Sequence, residues 1–323
     1  MSSSPNDADR LLADIGGTNV RFALLAPGSD QPRQETNLVC AEFEGLEQAA
    51  RHYLTGVGSP VVREAAIDVA TAVTGDFVKL TNSPWSFSIE QTRRALGLDR
   101  LLVLNDFTAL ALSLPLLEPG EQRQVGRGKG LEGAPIALIG AGTGLGVSGL
   151  LRYGGQWVPL EGEGGHTAFS PLDEREDDVL RVLRERLGHV STERLASGPG
   201  LVNIYESLCQ MDKVAARSLE PHHVTEGGLE ARDPQCTEAL AMFCGILGTA
   251  AANLVVTLGA RGGLYLGGGI VPRLGAYFDH SPFRSRFERK GRFSSYVAAV
   301  PSYVILADYP ALRGLAVAIN SGR

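Results

Sequence analysis

Two stretches of the sequence join short apolar runs through turns rich in glycine and threonine. One is residues 11–25, LLADIGGTNVRFALL, and the other is residues 135–151, PIALIGAGTGLGVSGLL. In the first stretch, Val20, Phe22 and Leu24 alternate with other residues, as is typical of a strand. Glycines allow positive φ and let backbone N–H groups come close to an anion. We therefore interpret both stretches as phosphate-binding hairpins.

The common phosphate loops do not fit these patterns. The first hairpin lacks the Lys and Ser or Thr of a P-loop, and no helix follows its turn as in a dinucleotide fingerprint. In the second hairpin, Leu145 occupies the position of the third fingerprint glycine. Asp14, at the end of the first strand, has the chemistry to hold a hydrated cation. Taken alone, the first turn fits equally well a simple tight turn with an exposed Asp14.

Asn105 and Asp106 form the third place where chemistry could occur. They follow a predicted apolar strand, residues 101–104, and open an apolar helix that is broken at Pro115. An Asp at the start of a helix is often only a helix cap. If it faces a cleft shared with two phosphate loops, it fits better a general base that accepts a proton from an attacking hydroxyl.

A polar, glycine-rich segment, residues 161–166 (EGEGGH), forms the fourth place, and Glu193 joins it later in the chain. Carboxylates accept hydrogen bonds from hydroxyl groups, and an imidazole can donate or accept one. Glu163, His166 and Glu193 together therefore favour binding of a polyol. Glu-x-x-His binds metals on a helix, but the two intervening glycines disfavour a helix here. A plain hydrogen-bonded loop histidine is the other interpretation of His166.

The composition is that of an ordinary globular protein. The chain has 323 residues, 44% of them hydrophobic, and a formal net charge of -6, so we expect two domains. Acidic and basic residues are intermixed, which predicts no surface for nucleic acid or an anionic membrane. Because the N-terminal segment is polar and no run approaches roughly 18 uninterrupted apolar residues, we expect a cytoplasmic protein. The four cysteines lack C-x-x-C spacing and are expected to be buried free thiols.

Turn signals and periodicity predict the order of the elements. Residues 1–10 are expected to be a disordered lead, residues 35–43 a third strand, and residues 74–76 the centre of a second small hairpin. Ser88 is predicted to cap a helix that stops at Gly97. In the second half, Asp233 and Pro234 open a long helix that runs to Gly259.

The predicted domain boundary lies in a polar, glycine-rich segment, residues 118–133. A helix over residues 309–319 is expected to cross back and pack on the first domain. This predicts a small α/β domain of residues 11–116 plus 307–323 and a large α/β domain of residues 117–306. Because both modules open with a strand, turn and strand, we expect duplicated domains that face each other over one ligand.

Six motifs follow one another along the chain, from about residue 11 to residue 319. They are Asp14-Ile-Gly-Gly-Thr-Asn, Leu104-Asn-Asp-Phe-Thr-Ala, Gly140-Ala-Gly-Thr-Gly-Leu-Gly, Gly162-Glu-Gly-Gly-His, residues 193–201 (ERLASGPGL) and Leu266-Gly-Gly-Gly-Ile-Val-Pro-Arg. In type, order and spacing they resemble the motifs of bacterial ATP-dependent glucokinases of the type found in proteobacteria. The resemblance implies the α/β actin-like ATPase (ribonuclease H-like) fold, with two duplicated domains flanking a cleft.

The resemblance also assigns roles to individual residues. Asp106 matches the family's catalytic base, and Asp14 would hold Mg²⁺ through water. The residues that match holders of sugar hydroxyls are Asn105, Glu163, His166 and Glu193. The residues that match the two phosphate hairpins and the loop beside adenosine are Asp14, Ile15, Gly16, Gly17, Thr18, Asn19, Gly140, Gly142, Thr143, Gly144, Gly268 and Gly269.

The implied activity is transfer of the γ-phosphate of ATP to the 6-hydroxyl of glucose, with Asp106 as general base and Mg²⁺ as cofactor. Dimers are common in this family, so the resemblance implies a homodimer. The related repressor and kinase group carries a Cys-x-Cys zinc motif after its Gly-His, and its absence here argues against that branch. Ala168 stands where many members have Asp, which is the one departure from the pattern.

The same fold also supports other functions. One is a kinase of another hexose, of an N-acetylhexosamine or of a carboxylate such as acetate. Because forming an acyl phosphate needs no positioned base, Asn105 and Asp106 argue against the carboxylate. A nucleotide-switched scaffold would need polymer contacts or an appended peptide-binding domain, for which 323 residues leave little room. A sugar-responsive repressor would need a DNA-binding helix pair, and only about ten polar residues precede Leu11.

Overall fold

The computed structural model describes residues 8–80, 83 and 85–322. The chain divides into two compact units: unit 1 is Met1–Leu117 with Ala307–Arg323, and unit 2 is Glu118–Leu306. Residues 1–7 of the predicted disordered lead lie outside the described residues. Asp9 and Arg10, which were also assigned to that lead, instead belong to the first strand.

Both units contain strands and helices. The strands are β1 (Asp9–Ile15), β2 (Asn19–Leu25), β3 (Arg33–Val39), β4 (Val62–Val69), β5 (Phe77–Lys79), β6 (Ser86–Ser88), β7 (Arg100–Asn105), β8 (Gln122–Val125), β9 (Ile136–Ala141), β10 (Leu145–Tyr153), β11 (Gln156–Gly162), β12 (Gly263–Gly267) and β13 (Ser302–Ile305). The α-helices are α1 (Leu46–Gly56), α2 (Ile89–Ala95), α3 (Asp106–Ser113), α4 (Glu174–Leu187), α5 (Gly198–Met211), α6 (Pro221–Leu229), α7 (Pro234–Leu258), α8 (Ile270–Leu274), α9 (Ala276–His280), α10 (Phe283–Glu288), α11 (Ser294–Ala298) and α12 (Pro310–Asn320).

Unit 1 is built on a five-stranded sheet in the order β3-β2-β1-β4-β7. Strand β1 pairs antiparallel with β2 and parallel with β4, which in turn pairs parallel with β7. Leu11, Ala13 and Ile15 of β1 belong to one apolar core cluster. Side chains alternate along a strand, so Leu12 and Asp14 lie on the opposite face. Helices α3 and α12 pack against each other and contact β4, and α12 also contacts β1.

Unit 2 contains a six-stranded sheet in the order β11-β10-β9-β12-β13-β8. Its first five strands repeat the order and the directions of the unit 1 sheet, with two antiparallel pairings followed by two parallel ones. Strand β9 is buried along its whole length. The duplication expected from the two glycine hairpins is therefore visible in the topology.

Helix α7 is long and apolar enough to cross a membrane by length and composition alone. About two-thirds of its most apolar segment is buried inside the protein, and it contacts α5, α6, α10 and β9. Its N-cap Asp233 accepts a hydrogen bond from the Cys236 N–H, and its C-cap Gly259 is left-handed, as predicted. We therefore interpret α7 as the central core helix of unit 2.

The hairpin predicted at residues 74–76 was wrong. The antiparallel pair is β5 with β6, so the connection spans residues 80–85, of which 81, 82 and 84 lie outside the described residues. The Asp76 carboxylate instead accepts hydrogen bonds from Ser88 Oγ (2.5 Å) and from the Glu90 N–H (2.9 Å). Asp76 thus supports the start of α2, where Ser88 is the N-cap as predicted.

The third predicted strand, residues 35–43, was placed too late. Strand β3 ends at Val39 and is followed by a 3-10 turn over Cys40–Glu42. The expectation of buried free thiols was right, because Cys40 and the other three cysteines are buried and free. The expectation that a late helix packs on the first domain was also right, because α12 packs on α3, β4 and β1.

The contact between α12 and α3 generates a stability prediction. A Cβ atom at Gly314 would lie 1.7 Å from the Ala109 carbonyl oxygen. We expect Gly314→Ala to destabilise the protein by at least the roughly 1–3 kcal/mol typical of an overpacked core. The check is urea unfolding followed by tryptophan fluorescence, in which Trp85 reports on unit 1. Gly56→Ala, with no atom within 4 Å of the new Cβ, is the matched control, and equal midpoints for both variants would contradict the prediction.

Candidate active site

The turn between β1 and β2 carries the first predicted phosphate site. Asp14 and Ile15 end β1, and Asn19 begins β2. The Gly16 N–H donates to the Asn19 carbonyl (2.9 Å), which closes the turn tightly. Gly16 does not use the positive φ that the sequence suggested. An added Cβ there would lie 3.3 Å from the Asn19 oxygen, so lack of space favours glycine at this position.

Three charged side chains lie in register across adjacent strands of unit 1. Asp14 pairs with Arg21 on β2 and with Asp68 on β4. Arg21 Nη1 lies 3.1 Å from Asp14 Oδ2, and the Arg21 guanidinium stacks 4.2 Å from the centre of the Tyr309 ring. The ion pair and the stacking hold the Asp14 carboxylate at the strand end beside the turn.

Asp68 is fully buried, and among the described residues no N–H or O–H donor reaches either of its carboxylate oxygens. Burial raises the pKa of Asp68 well above its ordinary range, and the negative charges of Asp14 and Asp106 raise it further. Two ionised carboxylates can only accept hydrogen bonds. Burial next to two other carboxylates therefore favours the protonated form of Asp68, and the register of β1 and β4 places Asp14 beside it as the acceptor available to that form.

Sequence reasoning missed Asp68. It lies in an otherwise apolar run, AAIDVA, to which the motifs give no role. An acidic residue within a buried strand is itself a signal, because such groups are almost never fully buried without a specific reason. Its relation to Asp14 depends on strand pairing across more than fifty positions, which no local pattern contains.

The junction of β7 and α3 holds Asn105 and Asp106. Asn105 is the N-cap, because its Oδ1 accepts from the N–H groups of Phe107 (2.9 Å) and Thr108 (3.3 Å). Its Nδ2 donates to the Thr71 carbonyl (3.3 Å). Asp106 is the first helical residue, is half-buried, and accepts from the Phe107 N–H through Oδ1 (2.9 Å). The cap role considered for Asp106 therefore belongs to Asn105.

The turn between β9 and β10 in unit 2 is crowded by backbone from three other segments. The Gly198 N–H donates to the Gly142 carbonyl (2.8 Å). A Cβ at Gly165 would lie 2.1 Å from the Leu145 carbonyl oxygen. Gly268 has a φ of +77°, and a Cβ there would lie 2.3 Å from the Ala141 carbonyl oxygen. Side chains at Gly165 and Gly268 would therefore push the turn out of place.

Glu163 is the N-cap of a 3-10 turn, Gly164–His166, that follows β11, and His166 is the last residue of that turn. Both side chains are exposed, with His166 Nε2 4.0 Å from Glu163 Oε2. The next residues pair with the segment before Glu193, because the Phe169 N–H donates to Val190 (3.0 Å) and the Thr192 N–H donates to Thr167 (2.8 Å). Ala168, the departure from the family pattern, forms the bridge with Ser191 in this pairing.

Glu193 lies in a 3-10 turn, Thr192–Arg194, and is half-buried. Its Oε2 accepts a hydrogen bond from the Leu145 N–H at 2.8 Å. Its carbonyl accepts from Ser197 Oγ, the N-cap of α5, at 2.7 Å. The structure thus brings the predicted sugar residue Glu193 together with the predicted phosphate turn of the same unit. Gly269 follows β12 and Gly268, and is the N-cap of α8.

Within residues 8–80, 83 and 85–322, no group of three or more His, Cys, Asp or Glu side chains could hold a metal ion. Magnesium in phosphoryl-transfer sites keeps several waters and uses one or two carboxylates together with substrate phosphates. Asp14, a single carboxylate fixed by Arg21 at the edge of a turn, fits such a water-mediated role.

The sequence model of the Glucokinase family matches residues 11–321 of the chain. The chain belongs to the glucokinase family. The glucokinase of Aromatoleum aromaticum is 52% identical over 316 residues, which cover 97% of this chain and 95% of that protein. The crystal structure of a glucokinase from an Antarctic psychrotroph is 33% identical, with a TM-score of 0.86 over 97% of this chain and 99% of that chain.

This glucokinase family member has the actin-like ATPase fold. A ROK family glucokinase from Streptomyces griseus, solved with glucose and AMPPNP, shares the fold with a TM-score of 0.64 over 96% of this chain and 98% of that chain. At 18% identity that likeness concerns the fold alone. The repeated five-strand order of the two sheets agrees with the duplicated α/β architecture expected from the motifs.

Burial of Asp68 generates a prediction about stability and pH. Because its pKa is raised on folding, the folded protein binds a proton that the unfolded chain releases above its ordinary pKa near 3.8. The contribution of this group is therefore fully present below that pH and is lost as the pH rises toward the folded pKa. Asp68→Asn removes the titration. As the pH rises through that window, we expect the free energy of unfolding of the variant to rise relative to that of the wild type by up to about 1.4 kcal/mol per pH unit.

The measurement is urea unfolding of both proteins at a series of pH values. Asp76→Asn is a control of opposite sign, because hydrogen bonds from Ser88 and Glu90 lower the pKa of Asp76. Asp76→Asn should have a lower free energy of unfolding than the wild type, and this difference should shrink as the pH falls. A constant difference in the free energy of unfolding between wild type and Asp68→Asn at all pH values would contradict the raised pKa of Asp68.

Proposed function

We propose that this member of the glucokinase family transfers the γ-phosphoryl group of ATP to the 6-hydroxyl of glucose, with Asp106 as general base. The observation that carries the proposal is the full-length similarity to glucokinases, together with an Asp at the strand-to-helix junction of unit 1. The proposal also places the enzyme in the cytoplasm as a homodimer, in keeping with the family resemblance.

In the reaction, the O6 atom of glucose attacks the γ-phosphorus of ATP. A bond from O6 to phosphorus forms, the bond from phosphorus to the bridging β,γ-oxygen breaks, and ADP leaves. The proton of the 6-hydroxyl goes to the Asp106 carboxylate. The Phe107 N–H fixes one oxygen of that carboxylate at 2.9 Å, and the N-terminus of α3 stabilises its negative charge.

Phosphate binding is assigned to the two glycine turns, one in each unit. Backbone N–H groups at such turns stabilise negative charge, and fixed donors do so without reorganising during the reaction. Magnesium, bound with ATP, would neutralise charge on the phosphates, and Asp14 would hold its water shell. Arg21 positions Asp14 for this role through the ion pair described above, and the buried Asp68 lies next to it in register on β4.

Sugar binding is assigned to Asn105 in unit 1 and to Glu163, His166 and Glu193 in unit 2. The Asn105 oxygen already accepts two helix N–H groups, so Asn105 would meet a hydroxyl through its amide NH₂. Glu163 and His166 are exposed on their segment and have the chemistry to accept and donate. Sites that hydrogen-bond each substrate hydroxyl reject analogues that leave those groups unpaired.

The role of Asp106 is tested by Asp106→Asn. The amide oxygen can still accept from the Phe107 N–H, so the fold should be kept, but the amide cannot take up a proton. We expect kcat to fall by at least the ~10²–10⁴ typical of a lost general base, with little change in the KM for ATP. A coupled ADP-release assay measures both, and thermal unfolding confirms the fold. A near-normal kcat in Asp106→Asn would contradict the assignment of Asp106 as the general base.

The sugar assignment is tested by Glu163→Gln and His166→Ala. We expect the loss mainly in the KM for glucose and in selectivity among epimers, with the KM for ATP nearly unchanged. Glu161→Gln, two residues upstream on β11, is the matched control and should behave as the wild type. A variant that lost ATP binding instead would contradict the sugar assignment.

The proposed reaction as a whole is tested by assaying a panel of sugars with ATP, polyphosphate and ADP as donors. Glucose with ATP is expected to give the highest kcat/KM. A clear preference for another hexose or for an N-acetylhexosamine would replace glucose in the proposal. Absence of turnover with every sugar would favour a nucleotide-switched scaffold.

A further inference from the structure

The Glu193 side chain reaches the phosphate turn of unit 2 through a single close contact. Its Oε2 accepts from the Leu145 N–H at 2.8 Å. A Cβ atom added to Gly144 would lie 2.6 Å from the same oxygen and 3.5 Å from the carboxyl carbon. The carboxylate therefore occupies the space in which any other residue at position 144 would carry its side chain.

Hydrogen bonds fix the backbone on both sides of Glu193, so a backbone shift cannot move the side chain away from the turn. Before it, the Thr192 N–H donates to the Thr167 carbonyl, and Thr192 itself is buried. After it, Ser197 Oγ binds the Glu193 carbonyl, and the Gly198 N–H donates to the Gly142 carbonyl of the turn. The distance between the Glu193 backbone and the turn is thus set by hydrogen bonds on either side.

We propose that Gly144 and the Leu145 N–H are positioning groups for the sugar-binding carboxylate. The Leu145 N–H holds Oε2, which orients the carboxylate toward a sugar hydroxyl, and the bare Gly144 leaves room for it. The phosphate turn and the sugar carboxylate then act as one unit. A change on the turn that displaces Glu193 weakens glucose binding even without nucleotide. The inference rests on the proposed function, because it takes Glu193 as a sugar ligand.

Gly144→Ala is the first test. Its methyl group displaces the Glu193 carboxylate and removes a charge-assisted hydrogen bond, so we expect the Kd for glucose, measured by calorimetry without nucleotide, to rise roughly tenfold or more. Gly142→Ala is the matched control on the same turn. It has an ordinary φ and no atom within 4 Å of the new Cβ, so it should keep the wild-type Kd for glucose whatever it does to ATP turnover.

A double-mutant cycle separates positioning from general damage to the turn. If Gly144→Ala acts through Glu193, it should have no further effect on glucose Kd in a Glu193→Ala background. Additive effects, or a wild-type Kd in Gly144→Ala, would overturn the inference. A wild type that bound no glucose would overturn both the inference and the proposed function. A wild type that binds and phosphorylates glucose, with an unchanged Kd in Gly144→Ala, would overturn the inference alone.

A second measurement covers the case in which Gly144→Ala fails to fold. With leucines selectively labelled with ¹⁵N, the Leu145 amide proton should report its hydrogen bond to Glu193 directly. We expect Glu193→Ala to shift this amide resonance strongly and Glu163→Ala to leave it in place. An unchanged Leu145 resonance in Glu193→Ala would show that the contact does not form in solution and would overturn the inference.

Discussion

The unit 2 site depends on backbone segments that pack closer together than side chains allow. Gly165 approaches the Leu145 carbonyl, Gly268 approaches the Ala141 carbonyl, and Gly198 donates to the Gly142 carbonyl. Each contact comes from a different part of unit 2, so the turn between β9 and β10 is the point at which these parts meet. Such packing has little freedom to adjust, because a backbone carbonyl cannot rotate away as the end of a flexible side chain can.

The corresponding turn of unit 1 is held by a different kind of interaction. Its strands repeat the order and directions of unit 2, but the residues behind the turn are charged. Arg21 forms an ion pair with Asp14 on one side, and on the other side lies Asp68, whose pKa is raised well above its ordinary range by burial. The two sheets therefore share their strand order, while charged residues lie behind the turn of unit 1 and close backbone contacts surround the turn of unit 2. Asp14, which we propose as the holder of a hydrated cation, belongs to the charged group of unit 1.

Local signals predicted most of the elements and the candidate site residues. Both glycine hairpins, the caps at Ser88 and Asp233, and the Asn105-Asp106 junction depend on neighbours within a few positions, and the structure confirms each as an element. The small hairpin was misplaced because the residues near Asp76 carry turn chemistry that serves a helix start.

The contacts between distant residues were beyond such signals. Asp68 faces Asp14 only because β1 and β4 pair in that register, and Glu193 reaches Leu145 across 48 positions. Motif recognition placed Glu193 with the sugar and residues 140–144 with the phosphates, but it contained no information that the two touch. Candidate site residues were therefore readable from the sequence, whereas Asp68 and the contacts between distant residues were not.

The return of α12 to unit 1 has a consequence for how the protein is made. Unit 2 is one uninterrupted stretch of chain, Glu118–Leu306, whereas α12 packs on α3, β4 and β1, which are synthesised roughly 200 to 300 residues earlier. During synthesis, the face of the first sheet that carries Asp14 and Asp68 stays uncovered until residues 310–320 have emerged from the ribosome. Unit 2 can complete its core first, so the nascent chain holds an unfinished first unit until α12 has been synthesised.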